Sequence, residues 1–507
     1  MKKISILILL AIFGFQSPAY NPLQAQSTEK PDAIYKLIRQ RYTVRRDGTS
    51  EYNYRKELTL LRNRAITAYA DKGETFIVYN PAFQSLTVNE CYTIRKDGSR
   101  VQTPKRAFVE QLPSDCQSCG RFNNLVELAI VHTALEYDCT IVLDYTITSR
   151  TDILQQKIQL TQDCPVERYE IIIDQPYDMD FYYSLQANGA DISQPADKHT
   201  LHLVANNLRQ SYADHYLPPS ETIYPTLWFS NRTSVSPDMQ QVRGKLPDAV
   251  NLINSERVRI RKLGNLSSHQ RNLLLVEALR DYVADNIRTN NLPPSLLNHR
   301  SADAAQVWHS GCGTPYEKAI TLAALLQQAG FYAYASLNEE HLLTADNKPF
   351  SLLTSDQATV TVVVDDSQLQ LSASHTSTPS SPKPSTLTPE QTDSFVIYTI
   401  PSSDCPFDIN PAYLPSHRST PLQAARCDTT YSYKLPDDPH SLLKPVNLSY
   451  SVQGLGSISI SIKQVGHHTE ILKHLSIEHD IVSPEQYQDF RQMMIDWNQY
   501  NKIYLRK

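Results

Sequence analysis

The 507-residue chain reads as an α+β protein in three parts. Three observations carry that reading. Short alternating polar and apolar runs, separated by turns, fill the stretch from about Ala33 to Leu217, as half-buried strands do. Helical periodicity takes over from Ser267, and alternation returns from Ser394 onward, ending in one amphipathic helix and a last strand. Length points the same way, since roughly 150 residues per domain gives about three. The expected divisions are a leader over 1–25, an antiparallel β-sandwich-like domain over 26–217 and a connector over 218–245. An α+β middle domain over 246–400 and a β-domain with a terminal helix over 401–507 complete the chain.

The leader, MKKISILILLAIFGF, is two lysines followed by an apolar run too short to span a bilayer. Small residues at Ala19 and Ala25 offer cleavage points, and cleavage after Ala25 is preferred. No cysteine directly follows the apolar run, so no lipid anchor is expected, and no later stretch is long and apolar enough to cross a membrane. The mature chain is therefore expected in the periplasm or at the cell surface of a Gram-negative bacterium. Losing Lys2 and Lys3 takes the formal charge from -5 to -7. Mild acidity without a basic block argues against a nucleic-acid partner.

In the first domain, LTVNECYTIRKDGSRVQTP reads as two strands around an Asp97-Gly98 hairpin. DCTIVLDYTITS and VERYEIIIDQP read as further strands, and NLVELAIVHTAL fits either a strand or a short helix. Eight cysteines remain after processing: Cys91, Cys116, Cys119, Cys139, Cys164, Cys312, Cys405 and Cys427. Spacing leaves their pairing open in an oxidising compartment. Cys116-x-x-Cys119 lies in a polar loop with no second CxxC or histidine pair to make a zinc site. A local disulfide, or two free thiols, is expected there, and Cys405 and Cys427 flank a segment they are placed to close.

The proline-rich 218–237 stretch reads as a surface connector. SSHQRNLLLVEALRDYVADNIRTN is a helix whose apolar stripe is Leu275, Leu279, Tyr282, Val283 and Ile287, and SADAAQVWHSG is a second, short one. In WHSGCGTPYEKAITLAALLQQAGFYAYA, Thr314 is the N-cap, Pro315 the first helical residue, Glu317 the partner in a capping box and Gly330 the stop. Small and apolar residues on more than one side place that helix inside a domain. ATVTVVVDDSQLQLSAS follows as a hairpin, then a Ser/Thr/Pro-rich flexible loop over 374–392. The last helix, SPEQYQDFRQMMIDWNQYN, is expected to be capped by Ser483.

The turn before Lys318-Ala319 and the helix ending at Ala329-Gly330 resemble the transglutaminase-like papain-fold core. In that family a cysteine opens the helix, a histidine opens the next strand and an aspartate closes the hairpin. Aligned without a gap through the helix, those positions fall on Pro315, Thr359 and Ala373, none of which serves as nucleophile, base or orienting group. Cys312 lies three residues before the nucleophile position. The stretches LTVNECYTIRKDGSRVQTP and ELAIVHTALEYDCTIVLDYTI resemble the domain of unknown function of type 3857 that precedes such cores in secreted bacterial proteins, and the C-terminal β-domain is similar to the one seen in the same proteins.

The resemblance implies a papain-like cleft between the Thr314 helix and the 359–373 hairpin, with its chemistry lost. The expected function is non-catalytic: an exported binding or scaffolding module for a peptide, protein or glycan, with no cofactor and no metal. The alternative is a thiol-dependent peptidase, amidase or transglutaminase that uses Cys312 as a displaced nucleophile, with His309, His341 or His375 as base. Asp365-Asp366 reads as an ordinary hairpin turn rather than a catalytic pair. His467-His468 reads as a turn, because successive strand residues face opposite ways.

Overall fold

The structure is a computed structural model describing residues 31–71, 75–176, 178–194, 200–212, 214–234, 246–365, 367–373, 387, 389–400, 409, 414–436 and 439–507, with backbone alone at 68–71, 338 and 354–357. The expected leader, most of the 374–392 loop with His375, and Asp366 and Cys405 lie outside these residues.

The alternating runs of the first region build one eight-stranded sheet. Its order is Asp191–Ser193, Thr200–Leu208, Val166–Asp174, Ala33–Val44, Ser50–Leu60, Cys139–Ser149, Gln84–Ile94 and Arg100–Gln102. The Asp97-Gly98 turn joins the last two strands, with Gly98 at φ 83° and its N–H on Arg95 O at 2.9 Å. The stretch that fitted strand or helix is a strand, Val126–Ile130. The sheet is not purely antiparallel as expected. Ala33–Val44 lies parallel to Val166–Asp174, with Ile38 opposite Tyr169. A parallel pair needs a long crossover rather than a hairpin, and here the intervening strands supply it.

The connector also needs correction. Residues 226–230 form a fully buried strand, Thr226–Ser230, at the centre of a three-stranded sheet between Tyr182–Gln186 and Gln155–Gln159. Leu227 and Phe229 enter the same apolar cluster as Leu58, Tyr169 and Leu203 of the large sheet. Prolines at 218 and 219 mark a turn into the strand, not a surface linker.

In the middle region we label the helices α1 (Ala249–Arg261), α2 (Ser268–Asn286), α3 (Ala304–Ser310) and α4 (Pro315–Gln328). The strands are β1 (Tyr332–Leu343), β2 (Pro349–Val364) and β3 (Ser367–Ser372), an antiparallel sheet in that order. α2 opens on a Ser267/Gln270 capping box and buries Leu275, Leu279 and Val283 of the expected stripe. Tyr282 stacks on Trp308 of α3 at 5.5 Å. α4 is buried from Pro315 to Leu326, with α2 and α3 on one side and the sheet on the other, so Ala319 and Ala323 share one cluster with Val360 and Val362.

At the C-terminal end, Cys427–Lys434, His468–Ile477, Gly456–Val465 and Val446–Val452 form a four-stranded sheet. Ile458, Ile460 and Ile462 point inward while the serines between them do not, as the two-residue period of a strand requires. Phe490, Met493, Met494 and Trp497 of the helix Tyr487–Gln499 cover that face. Ser483 does not cap this helix; Gln486 holds the cap position, and Ser483 O accepts the Gln486 N–H in the turn before it. Phe395–Thr399, expected in the middle domain, pairs with Lys502–Arg506 and so belongs to this last unit. The final strand needed a partner, and the chain supplied it from before the expected boundary.

Candidate functional site

The N-terminus of α4 is assembled as the local sequence dictates. Thr314 Oγ1 accepts the Glu317 N–H at 3.3 Å, and Glu317 Oε2 accepts the Thr314 N–H at 2.9 Å. Pro315 takes the first helical position, where no N–H is needed. Gly313 sits tightly beneath: a Cβ there would lie 3.0 Å from Val307 Cγ1 and 3.2 Å from Glu317 Cβ. Just before it, Cys312-Gly313 runs parallel to Arg288-Thr289, so the loop is stitched to the end of α2.

Glu317 is 1% exposed and does more than cap. Its second oxygen accepts the Ala302 N–H at 2.8 Å, and Arg121 of the first unit forms an ion pair with it. A buried carboxylate is tolerable only with such a set of partners. The next residue, Lys318, is equally buried; its Nζ donates to Thr289 Oγ1 at 3.0 Å and to Ala284 O at 3.4 Å. Burial brings its ammonium down to about 8, against an upward pull from Asp285. Two buried polar atoms here, Arg121 Nη1 and Asn290 Oδ1, have no hydrogen-bond partner among the described residues.

The cysteines are not arranged as expected. Cys119 forms a disulfide with Cys312, with Cα atoms 6.0 Å apart and 193 residues between them in sequence. Cys116 is therefore not joined to Cys119; it remains a buried thiol in the same cluster as the disulfide. Burial and Asp115 push that thiol up, against a weaker opposing effect from Arg288. Cys312 is 1% exposed, and its sulfur is committed to Cys119. Of the two candidate bases among the described residues, His309 is exposed on α3, and His341 Nδ1 lies 3.0 Å from Ser351 Oγ toward the far end of β1.

Of the three positions that the resemblance singled out, Pro315 opens α4, Thr359 lies on β2 and Ala373 follows β3. Thr359 on β2 faces Ser336 of β1 and Ser372 of β3, and Ala373, buried, follows Ser372. Ala373 shares the apolar cluster of α4. Between the start of α4 and this sheet lies a small cavity of about 20 Å³, lined by Thr314, Tyr316, Leu337 and Ala358 together with Leu292 and Leu297. That volume holds about one water. Asp365 turns the β2–β3 hairpin at φ 53° and bonds His269 Nδ1 at 2.7 Å and Asn272 Nδ2 at 3.4 Å, so it pins the hairpin to α2. Among the described residues no group of three His, Cys, Asp or Glu side chains is placed to hold a metal ion.

Sequence reasoning missed Arg121, Asn290 and the segment around Leu292–His299. Arg121 lies 196 residues from Glu317, and no local pattern links them. His299 was legible only as a histidine; the fold buries it, which pushes its imidazole down to about 4.

Comparison with known proteins agrees with this layout. Residues 46–210 match the domain of unknown function DUF3857, and residues 397–505 match a second one, DUF3858. The crystal structure of a "putative protease" from Parabacteroides distasonis ATCC 8503 superposes with a TM-score of 0.71 at 23% identity, covering 94% of this chain and 99% of that one. The two share a fold along nearly their whole length. An M1 zinc metallopeptidase from Deinococcus radiodurans is 10% identical over 59% of this chain and 71% of its own, and its TM-score of 0.18 carries no argument. No match was found among curated proteins.

Proposed function

We propose that this chain is an exported, non-catalytic protein with a transglutaminase-like middle region, acting as a binding or scaffolding module for a peptide, protein or glycan in the cell envelope. The observation that carries the reading is the Cys119–Cys312 disulfide, which takes Cys312, the candidate displaced nucleophile, out of thiol chemistry. Proline, threonine and alanine at 315, 359 and 373 supply no nucleophile, base or orienting group. The small cavity beside the start of α4 has too little room for a peptide, so in this reading a ligand is held on another surface.

The alternative, a thiol-dependent peptidase, amidase or transglutaminase, draws on the printed description of the Parabacteroides neighbour. It requires reduction of the disulfide and a histidine brought to Cys312. Labelling the folded protein with iodoacetamide across pH, with and without mild reductant, separates the two. We expect no label on Cys312 without reductant, and after reduction a slow reaction that follows an ordinary thiol pKa of roughly 8.5. Fast labelling of Cys312 that persists well below that pH would overturn the non-catalytic reading.

A further inference from the structure

A second cavity, remote in sequence from α4, lies in the first unit, where the strand Thr200–Leu208 ends against the helix Ser220–Ile223. Its volume is about 260 Å³. The buried side chains of Leu208, Ile223 and Pro225 give it an apolar floor. Tyr224, also buried, adds a ring whose centroid is 5.9 Å from that of Tyr212.

The wall above that floor carries unspent hydrogen-bonding capacity. Among the described residues the side-chain amides of Asn206, Asn207 and Gln210 make no hydrogen bond, although all three line the cavity. The Tyr224 hydroxyl accepts the Tyr212 N–H at 2.8 Å, which leaves its own proton to donate. Asn207 stands at φ 52°, a left-handed conformation that asparagine tolerates. It breaks the strand alternation that would send consecutive side chains to opposite faces, so Asn206 and Asn207 line one space. The opposite wall is held in place: Asn188 Nδ2 donates to Tyr224 O at 2.7 Å and to Glu221 O at 3.0 Å.

These features select a ligand by chemistry. Among the described residues that line the cavity, the charged ones are one carboxylate, Asp191, and one guanidinium, Arg209, so neither an anion nor a cation is favoured by an excess of charge there. A wholly apolar ligand would leave the half-buried Asn206 amide without a partner, at about 1–3 kcal/mol, while the exposed Asn207 and Gln210 amides stay hydrated at the rim. A peptide strand is recognised through unpaired backbone at a sheet edge. Here the Asn206 backbone is already paired on both sides, with Arg168 and with Asp191, and the edge strand Asp191–Ser193 is only three residues long, too short to seat a peptide strand. What remains is a neutral molecule with donors and acceptors around its rim and a C–H face for the floor. We propose that this cavity binds one neutral sugar residue, the amides of Asn206, Asn207 and Gln210 and the Tyr224 hydroxyl meeting its hydroxyl groups. The volume lies just under the roughly 300 Å³ at which small-molecule sites begin, which suits a single sugar ring.

Saturation-transfer NMR on the full chain tests this, with glucose, galactose, mannose and N-acetylglucosamine as probes, each at about 10 mM for affinities near the millimolar range. We expect transfer to at least one sugar, reduced about tenfold or more by Asn206→Leu and by Tyr224→Phe. Gln210→Ala, at an exposed position whose loss cannot unfold the sheet, is expected to weaken the same signal. Transfer to none of the four, transfer unchanged in all three variants, or transfer to a blocked dipeptide in place of any sugar would each overturn the proposal. The readout is independent of Cys312, so it stands or falls apart from the non-catalytic reading.

Discussion

Pro315 opens α4 at a helix N-terminus, a place where a cysteine would be favoured as thiolate. Pro315 suits its position better than cysteine would as a structural residue, since it needs no N–H there. The neighbouring His299 illustrates how burial, not identity, sets behaviour. Its folded-state value near 4 lies below the ordinary 6.5, so the unfolded chain binds its proton first as pH falls. Stability from this group is complete above pH 6.5 and is lost on the way down to about 4. At about 1.36 kcal/mol per pH unit the loss reaches roughly 2 kcal/mol at pH 5. His299→Asn keeps a residue that tolerates the φ of 53° and is expected to flatten this part of a urea-unfolding series between pH 6.5 and 5. An unchanged slope would show that His299 is not protected as described.

At the scale of an element, α4 is held by its cap and by what the cap carboxylate reaches. The Thr314/Glu317 box is a local motif, four residues long, and was readable without any structure. The ion pair from Glu317 to Arg121 was not, because it joins segments 196 residues apart. Removing Arg121 leaves a buried carboxylate with backbone donors alone. Arg121→Ala is expected to destabilise the region by about 3 kcal/mol. Hydrogen exchange on the α4 amides would report this locally, as roughly a hundredfold loss of protection if they open together. Protection equal to wild type would mean that the backbone N–H groups satisfy Glu317 by themselves.

On the scale of the whole molecule, two seams join the first unit to the middle one. One holds the Cys119–Cys312 disulfide, the Arg121–Glu317 pair and the Asn290 Nδ2 bond to Asp115 O at 2.5 Å. The other holds Trp228 against Phe350 and Leu352, with Trp228 Nε1 donating to Glu340 at 2.9 Å. Closing a loop of this length restricts the unfolded chain and contributes about 2–5 kcal/mol. Reductant should therefore lower the thermal midpoint of wild type, and should have no effect on a Cys119→Ala/Cys312→Ala double variant, which begins from the lower value. Equal midpoints with and without reductant, once mass spectrometry confirms the bond is broken, would remove the disulfide from the account of stability.

The sequence by itself determined the elements whose causes are local. Helical spacing placed α2 and α4, an Asp-Gly turn placed one hairpin, and strand alternation placed the inward isoleucines of the C-terminal sheet. It also placed Pro315 at the start of α4 and Thr359 within the β2–β3 hairpin, because those positions follow from the same elements. Tertiary structure alone decided the rest. The partner of Cys312, the parallel pairing of Ala33–Val44 and the strand that Lys502–Arg506 recruits all depend on contacts between distant segments, for which no sequence period exists. The small cavity beside the start of α4 belongs to the same class, since Leu292 and Leu297 line it from a turn that no sequence pattern links to that place.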